Sequence, residues 1–428
     1  MSGFETVLLV LALIVLGVPV SYSMLGASLL YGMLAGIPIG SMVMRAANSV
    51  NSATLLAIPA FIFASTLMNH GGVTLRIFEF VNKSRIGAWR GGLAQVNVLA
   101  SLIFSGMSGA ALADIGGLGK VEIKAMHEAG YKLKDATAVT MASSIIGPIF
   151  PPSIPLLLYA VVAQVSGLEM LMSGIVPGIL ITLFLMFQVA YIARRNNWPT
   201  TVHDMTGAEK WRVFWRALPA LLMPLLLVVG LLSGWYSPIE LACLTVFYAF
   251  FLSAILYRDL TLRSFAATVR EAVASASGIL FIAASASLFA WVITFEGVAE
   301  LARLYLTDFT ENKYVLLLIA VVVLLIWGMV MDMLAALLIF TPILLPAAIE
   351  LGVHPVQFGV VMCFTLILGL YTPPVGVCLF LGSQITGIPA LKIFQAMLPY
   401  YLPILAALAA VVLIPELTTF VPELIMGR

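Results

Sequence analysis

The sequence predicts an all-α polytopic membrane protein: an inverted-topology repeat with two re-entrant helical hairpins and two discontinuous transmembrane helices. Three observations predict it. Of 428 residues, 62% are hydrophobic and 10% charged, and apolar stretches of about 20 residues, enough to cross a bilayer, recur from Phe4 to Val421. Lysine and arginine gather in some loops and avoid others, which sets orientation. A shift of 222 positions lays unusual Gly and Pro positions of one half on those of the other.

Apolar segments fall near 4–20, 22–41, 53–70, 91–119, 135–166, 170–193, 217–232, 239–257, 275–295, 313–349, 355–386 and 396–416. Met1 to Thr6 holds no Lys or Arg, so the first segment reads as a retained helix and not a cleaved leader. Arg76, Lys83, Arg85 and Arg90 precede the 91–119 segment, and Lys120, Lys124, Lys132 and Lys134 follow it. Both its ends therefore lie on the cytoplasmic side, and the small residues SGMSGAA at 105–111 suit the tip of a hairpin that enters and leaves by one face. The segment 135–166 then crosses outward. The chain returns to the basic stretch Arg194, Arg195, Lys210, Arg212 and Arg216, and after SGWYSPIE to Arg258, Arg263 and Arg270. In that basic stretch Trp211 and Trp215 suit a helix lying at the cytoplasmic interface. Past 275–295, Glu296, Glu300, Asp308 and Glu311 outnumber Arg303 and Lys313, so 313–349 begins outside, and it ends outside near Glu350 and His354.

The 222-residue shift places Gly106 on Gly328, Gly130 on Gly352, Gly147 on Gly369, and Pro151 and Pro152 on Pro373 and Pro374. One hairpin enters from each side, so the halves are inverted copies, an architecture of secondary transporters. The division expected is 1–52 as N-terminal scaffold helices; 53–193 as the first repeat, with hairpin 91–119 and broken helix 135–166; 194–274 as linker and scaffold; 275–416 as the second repeat, with hairpin 313–349 and broken helix 355–386; and 417–428 as a tail.

The breaks GPIFPPS at 147–153 and GLYTPPVG at 369–376 are the chemically informative stretches. Proline removes a backbone donor and costs about 3 kcal/mol in a helix interior. In return, carbonyls released there can hold a cation, and half-helix N-termini can face an anion. Ser108, Gly109, Ser143, Pro151, Pro152, Ser153, Pro373 and Gly376, at the first tip and the breaks, are the candidate substrate-facing positions. A charge at mid-membrane costs about 2.5 to 3.5 kcal/mol on insertion scales. Asp332, in the second tip WGMVMDMLAALL, is therefore the foremost candidate cation ligand or counter-charge, with a hairpin cap as its structural alternative. Asp114 fits either role. Ser105, Ser108, Ser143, Ser144, Ser153 and Thr372 supply neutral oxygens near tips and breaks.

Other classes are excluded or disfavoured. A net charge of +1 without a basic stripe speaks against nucleic acid. Cys243, Cys363 and Cys378 lack CxxC spacing, and His70, His127, His203 and His354 are scattered without HExxH, so no metal site other than one for sodium is expected. No catalytic constellation argues for an enzyme, and a channel would favour a continuous pore lining.

Six stretches resemble the large membrane subunit (M subunit, DctM-like) of TRAP transporters, the tripartite ATP-independent periplasmic systems. They are IPAFIFASTLMNHGG at 58–72, RGGLAQVNVLASLIFSGMSGAALAD at 90–114, AVTMASSIIGPIFPPSIPLLLYA at 138–160, GLLSGWYSPIELA at 230–242, GMVMDMLAALLIFTPILLP at 328–346 and LGLYTPPVGVCLFLGS at 368–383. The resemblance implies an elevator in the bacterial inner membrane that imports a small organic acid, such as a dicarboxylate, by symport with sodium (Na+). Its partners would be a small membrane subunit (Q type), a periplasmic substrate-binding protein (P type) and phospholipid. It also implies two sodium sites, one at Ser105, Gly106, Ser108, Ser144 and Gly147, the other at Gly328, Asp332, Gly369, Thr372 and Pro374. Many relatives carry SGSA in the first tip where this chain has Ala110. No small-subunit helices precede Met1 as in fused versions, so the small subunit is expected as a separate chain. The alternative within this class is a single-chain sodium/organic-anion carrier that needs no binding protein.

Overall fold

The computed structural model describes residues 1–83, 89–108, 111–200 and 207–427; Gly109, and the side chains of Ser105 and Ser108, lie outside the described residues. Helix follows helix with local chemistry setting the ends. Ser2 and Glu5 form a capping box on Gly3–Val15, Ser52 caps Ala53–His70, and Ser237 with Glu240 caps Pro238–Phe250, whose first residue is the proline that tolerates this position. Among the described residues there is no strand, only an isolated bridge between Arg90 and Thr200, and eight helices are long and apolar enough to span a bilayer.

The two hairpins are the core of the arrangement. The first has arms Gly92–Ser108 and, from Ala111 through a π-helical turn at Ile115–Gly119, on to Glu128. The second has arms Lys313–Val330 and Met333–Glu350. Each is followed by a broken helix. Leu133–Ser143 tightens into a 3-10 turn at Ser144–Ile146, breaks, and resumes as Ile154–Val162; Pro355–Gly369 breaks and resumes as Val377–Thr386. The shift of 222 also holds for the backbone. Gly130 (φ +95°) maps on Gly352 (φ +77°), both left-handed, and the cis bond Pro151–Pro152 maps on the cis bond Pro373–Pro374.

Several boundaries differ from the sequence reading. The first hairpin's second arm does not stop at residue 119 but runs to Glu128. Lys120 and Lys124, which suggested a membrane edge, point outward on a helix whose opposite face buries Glu122, Ile123 and Met126. The segment 22–41 ends as a helix at Leu34; Gly36 (φ +72°) and Pro38 then turn the chain into a separate helix, Ile39–Ser49. No separate interfacial helix carries Trp211 and Trp215: they sit, exposed, on the first turns of the continuous helix Gly207–Ser233. The residues expected as a C-terminal tail form the helix Glu416–Met426.

Burial separates the elements. In Pro355–Gly369 every residue from Val356 onward is buried, so this helix lies wholly inside. Gly359 allows the fit, because a Cβ there would stand 2.3 Å from the Tyr159 ring. By contrast Leu225, Val229, Phe247, Leu318 and Ile326 are exposed apolar side chains on long helices, a surface suited to lipid and not to water. The longest helix, Leu262–Phe295, has 34 residues, about 51 Å of rise. It packs along Ala53–His70, Val20–Leu34 and Ile39–Ser49.

Candidate functional site

The breaks leave backbone groups that apolar surroundings cannot satisfy, and the structure shows what takes them up. In the first break the Ser153 hydroxyl donates to the Pro148 carbonyl and also accepts from Leu156 N at 3.2 Å, capping the resumed half-helix. In the second, Thr372 Oγ1 donates to Leu368 O at 2.9 Å and Tyr401 Oη to Tyr371 O at 2.6 Å. Gly376 N reaches across to Met329 O in the hairpin at 3.2 Å. The hairpin and its broken helix are thus joined through the backbone at the break.

The two halves meet directly as well. Ser144 Oγ, in the first break, and Tyr371 Oη, in the second, are 2.7 Å apart, both buried. Behind them a polar chain ties the first hairpin to its broken helix. Asn97 Nδ2 donates to Thr140 Oγ1 at 2.7 Å, Ser143 Oγ donates to Asn97 Oδ1 at 2.7 Å, and Ser101 Oγ lies 2.9 Å from Ser143 Oγ. Asp114 and Glu122 are both buried, each with one carboxylate oxygen lacking a partner among the described residues.

Between the tips lies a cavity of about 100 Å³. One wall is Ala111 and Leu112 with Pro148, Ile154 and Pro155; the other is Asp332, Met333 and Leu334 with Ile367 and Leu370, and Ile279 of the longest helix closes it. Two helices begin at this cavity: Ile154–Val162, capped by Ser153, and Met333–Glu350, capped by Asp332, whose Oδ1 accepts from Leu334 N at 2.9 Å and Ala335 N at 3.4 Å. Their N-terminal N–H groups concentrate positive potential on a site with few other polar groups. Of the residues singled out from sequence, Asp332 lines the cavity. Ser143, Ser144, Gly147, Pro151, Pro152, Ser153, Gly328, Gly369, Thr372, Pro373, Pro374 and Gly376 stand in the surrounding tips and breaks, outside that wall. The backbones of Ser105, Gly106 and Ser108 are at the tip end of the first arm. Asn97, Thr140, Tyr371 and Tyr401 were not anticipated. None stands alone in its run: Asn97 has Gln95 and Ser101 nearby, Thr140 has Ser143 and Ser144, Tyr371 has Thr372 and Tyr401 has Tyr400, so no signal in the sequence singles them out.

Over residues 7–417 the sequence matches the family described as the tripartite ATP-independent periplasmic transporter, DctM component. The chain belongs to this family. It is 36% identical over 420 residues to the sialic acid TRAP transporter large permease protein SiaM of Vibrio cholerae, covering 97% of each chain. It is 35% identical to the sialic acid TRAP transporter permease protein SiaT of Haemophilus influenzae, covering 99% of this chain and 69% of that one. It is 30% identical to the C4-dicarboxylate TRAP transporter large permease protein DctM of Rhodobacter capsulatus, covering 97% and 98%. As a TRAP large permease it is a multi-pass inner-membrane transporter subunit, and its relatives are permeases, not enzymes. Its fold is shared with the Alcanivorax borkumensis YdaH transporter, at a TM-score of 0.61 and 16% identity over 90% of this chain and 88% of that one. It is shared also with MtrF of Neisseria gonorrhoeae, at a TM-score of 0.60 and 13% identity over 87% and 83%.

Proposed function

We propose that this TRAP large permease imports a small organic acid together with sodium, receiving the acid from a periplasmic binding protein and working beside a small membrane subunit and bound phospholipid. The observation that carries this is the inter-tip cavity, walled by both halves and faced by two helix N-termini and one carboxylate. Helix N-termini suit an anionic solute, and the Asp332 carboxylate suits the cation that travels with it. The chemistry of the site fits sodium. The oxygens available are the Asp332 carboxylate at the cavity and the hydroxyls and carbonyls of the tips and breaks around it, and no group of three His, Cys, Asp or Glu stands together among the described residues. Ser105, Gly106, Ser108, Ser144 and Gly147 would hold one ion, and Gly328, Asp332, Gly369, Thr372 and Pro374 the other. Sodium, when bound, supplies the charge that lets an anion enter an apolar cavity.

In this reading the hairpins are re-entrant, one from each face, and form with the broken helices a unit that moves as an elevator within repeats 53–193 and 275–416. Helices of 1–52 and 194–274 form the fixed frame. The hydrogen bonds that join each hairpin to its broken helix, Gly376 N to Met329 O in the second and the Asn97–Thr140–Ser143 chain in the first, and break to break through Ser144 and Tyr371, favour a rigid unit over separately opening tips. The test is uptake into proteoliposomes holding the large and small subunits, with loaded binding protein outside. An inward sodium gradient should drive accumulation, and dissipating the gradient should abolish it. Accumulation independent of sodium would reject the coupling. Uptake by the large chain alone would reject the three-part assembly.

A further inference from the structure

A second cavity, of about 320 Å³, opens between the frame and the proposed moving unit, at the end of the molecule that the charge pattern assigns to the outside. Its walls continue those of the inter-tip cavity. On the longest helix, Ile279 lines the inter-tip cavity and Ala283, Ser287 and Trp291 line the outer one. On the second hairpin, Leu334 is followed by Leu338 and Pro342; on the first broken helix, Pro155 is followed by Leu158 and Val162. These are steps of three and four, so each helix presents one continuous stripe to both cavities. From Leu334 to Pro342 the stripe climbs about 12 Å.

At the mouth stands Arg45, on Ile39–Ser49, with its guanidinium 4.9 Å from the centre of the Trp291 ring. It pairs with no carboxylate among the described residues. The cation–π contact holds the guanidinium beside the ring, and with no carboxylate partner among the described residues its N–H donors are available to a carboxylate or sulfonate, which guanidinium binds by two parallel hydrogen bonds. Ser49 and Ser287 add hydroxyls, and Gln164, held at φ +55°, adds an amide from the opposite wall. An unpaired cation among neutral hydrogen-bonding groups, in a cleft of the size that takes a small solute, is a site for an anion bearing hydroxyl or amide groups.

We propose that this cleft is the outer access path to the inter-tip cavity and that Arg45 captures the anionic group of the incoming solute at its mouth. The proposal rests on the importer reading for its direction, but its test needs neither transport nor knowledge of the solute. In a background lacking Cys243, Cys363 and Cys378, a Ser287→Cys variant in proteoliposomes is treated from outside with two methanethiosulfonates, the anionic sulfonatoethyl and the cationic trimethylammonioethyl reagent. With Arg45 present the anionic reagent should react disproportionately fast. Arg45→Gln should lower the anionic-to-cationic rate ratio about 3- to 10-fold, the scale of one unit charge acting a few ångströms away in water, and Arg45→Lys should keep most of it. An unchanged ratio in Arg45→Gln overturns the capture role, whatever sodium-driven uptake shows. The path is tested with Ile279→Cys. It should show the same preference and the same loss with Arg45→Gln, and a ratio there that ignores Arg45 while Ser287→Cys responds overturns the path.

Discussion

Gly328 and Gly369 pack backbone against backbone: a Cβ on Gly369 would stand 2.6 Å from the carbonyl carbon of Gly328, and one on Gly328 would stand 2.9 Å from Leu366 O. Neither neighbour is a flexible side chain that can swing aside. The second hairpin and its broken helix therefore approach as closely as two main chains can, at the point where the helix begins to unwind.

Gly369→Ala should accordingly displace the hairpin, costing about 1 to 3 kcal/mol as overpacking does and stopping uptake. Gly147→Ala at the equivalent position should be far milder, since the nearest atom to its Cβ is Ser144 O at 3.5 Å. Thermal unfolding in detergent and proteoliposome uptake would read both. Equal damage from the two substitutions would contradict this packing.

Asp332 serves as a cap, and this separates two roles that one deletion would confuse. Asparagine caps as well as aspartate does, so Asp332→Asn should retain thermal stability while losing sodium-stimulated uptake. Asp332→Ala should lose uptake and also about 0.5 to 2 kcal/mol of stability. Sodium-dependent uptake preserved in Asp332→Asn would remove the carboxylate from the ion site.

The contact between Ser144 and Tyr371 links the two breaks. A cycle of Ser144→Ala, Tyr371→Phe and the double variant should give a coupling of about 0.5 to 1.5 kcal/mol in unfolding. Additive effects would mean that the halves are held by packing alone.

Lys83 and Lys132 flank the first hairpin and its following turn. Single cysteines there, in a background without the native three, should both react with impermeant reagent only from the cytoplasmic face. Labelling from opposite faces would make the hairpin an ordinary span.

Arg303 bridges Glu300 and Glu350, donating from Nε to Glu300 at 2.8 Å. Its hydrogen bond holds the Glu300 carboxyl below the usual range. A carboxylate with a depressed folded pKa contributes stability above its unfolded pKa, near 4.3, and that contribution is lost as pH falls through the lower folded value. The melting temperatures of the protein and its Arg303→Gln variant should thus differ at pH 7 and converge as pH falls below about 4. A difference that persists in acid would assign Arg303 a packing role instead.

What the sequence made legible follows from which signals stand alone. Gly130, Gly352 and the two Pro-Pro pairs announce unusual backbone wherever they occur, so the matched backbone positions and both breaks were readable. Asn97, Thr140 and Tyr401 acquire meaning only from partners 30 or 43 positions away, and no single residue discloses its partner. The end of the first hairpin was misplaced because Lys120 and Lys124 mark one face of a helix, not its boundary. Asp332 was identified, but its cap depended on a helix starting at Met333 within an apolar run, which hydropathy alone does not show.

The helix Pro355–Gly369 has 15 residues, about 22 Å of rise against a hydrocarbon core of about 30 Å, and from Val356 onward none of it faces lipid. It is therefore too short to cross the hydrocarbon core by itself during synthesis. Its neighbours Lys313–Val330 and Met333–Glu350 precede it in the chain, while Ala390–Leu413 follows. Biogenesis must release it into a chamber already built by the earlier pair, and the later helix seals that chamber. Truncating the chain before Ala390 should leave this buried helix exposed and the product a target for membrane proteolysis.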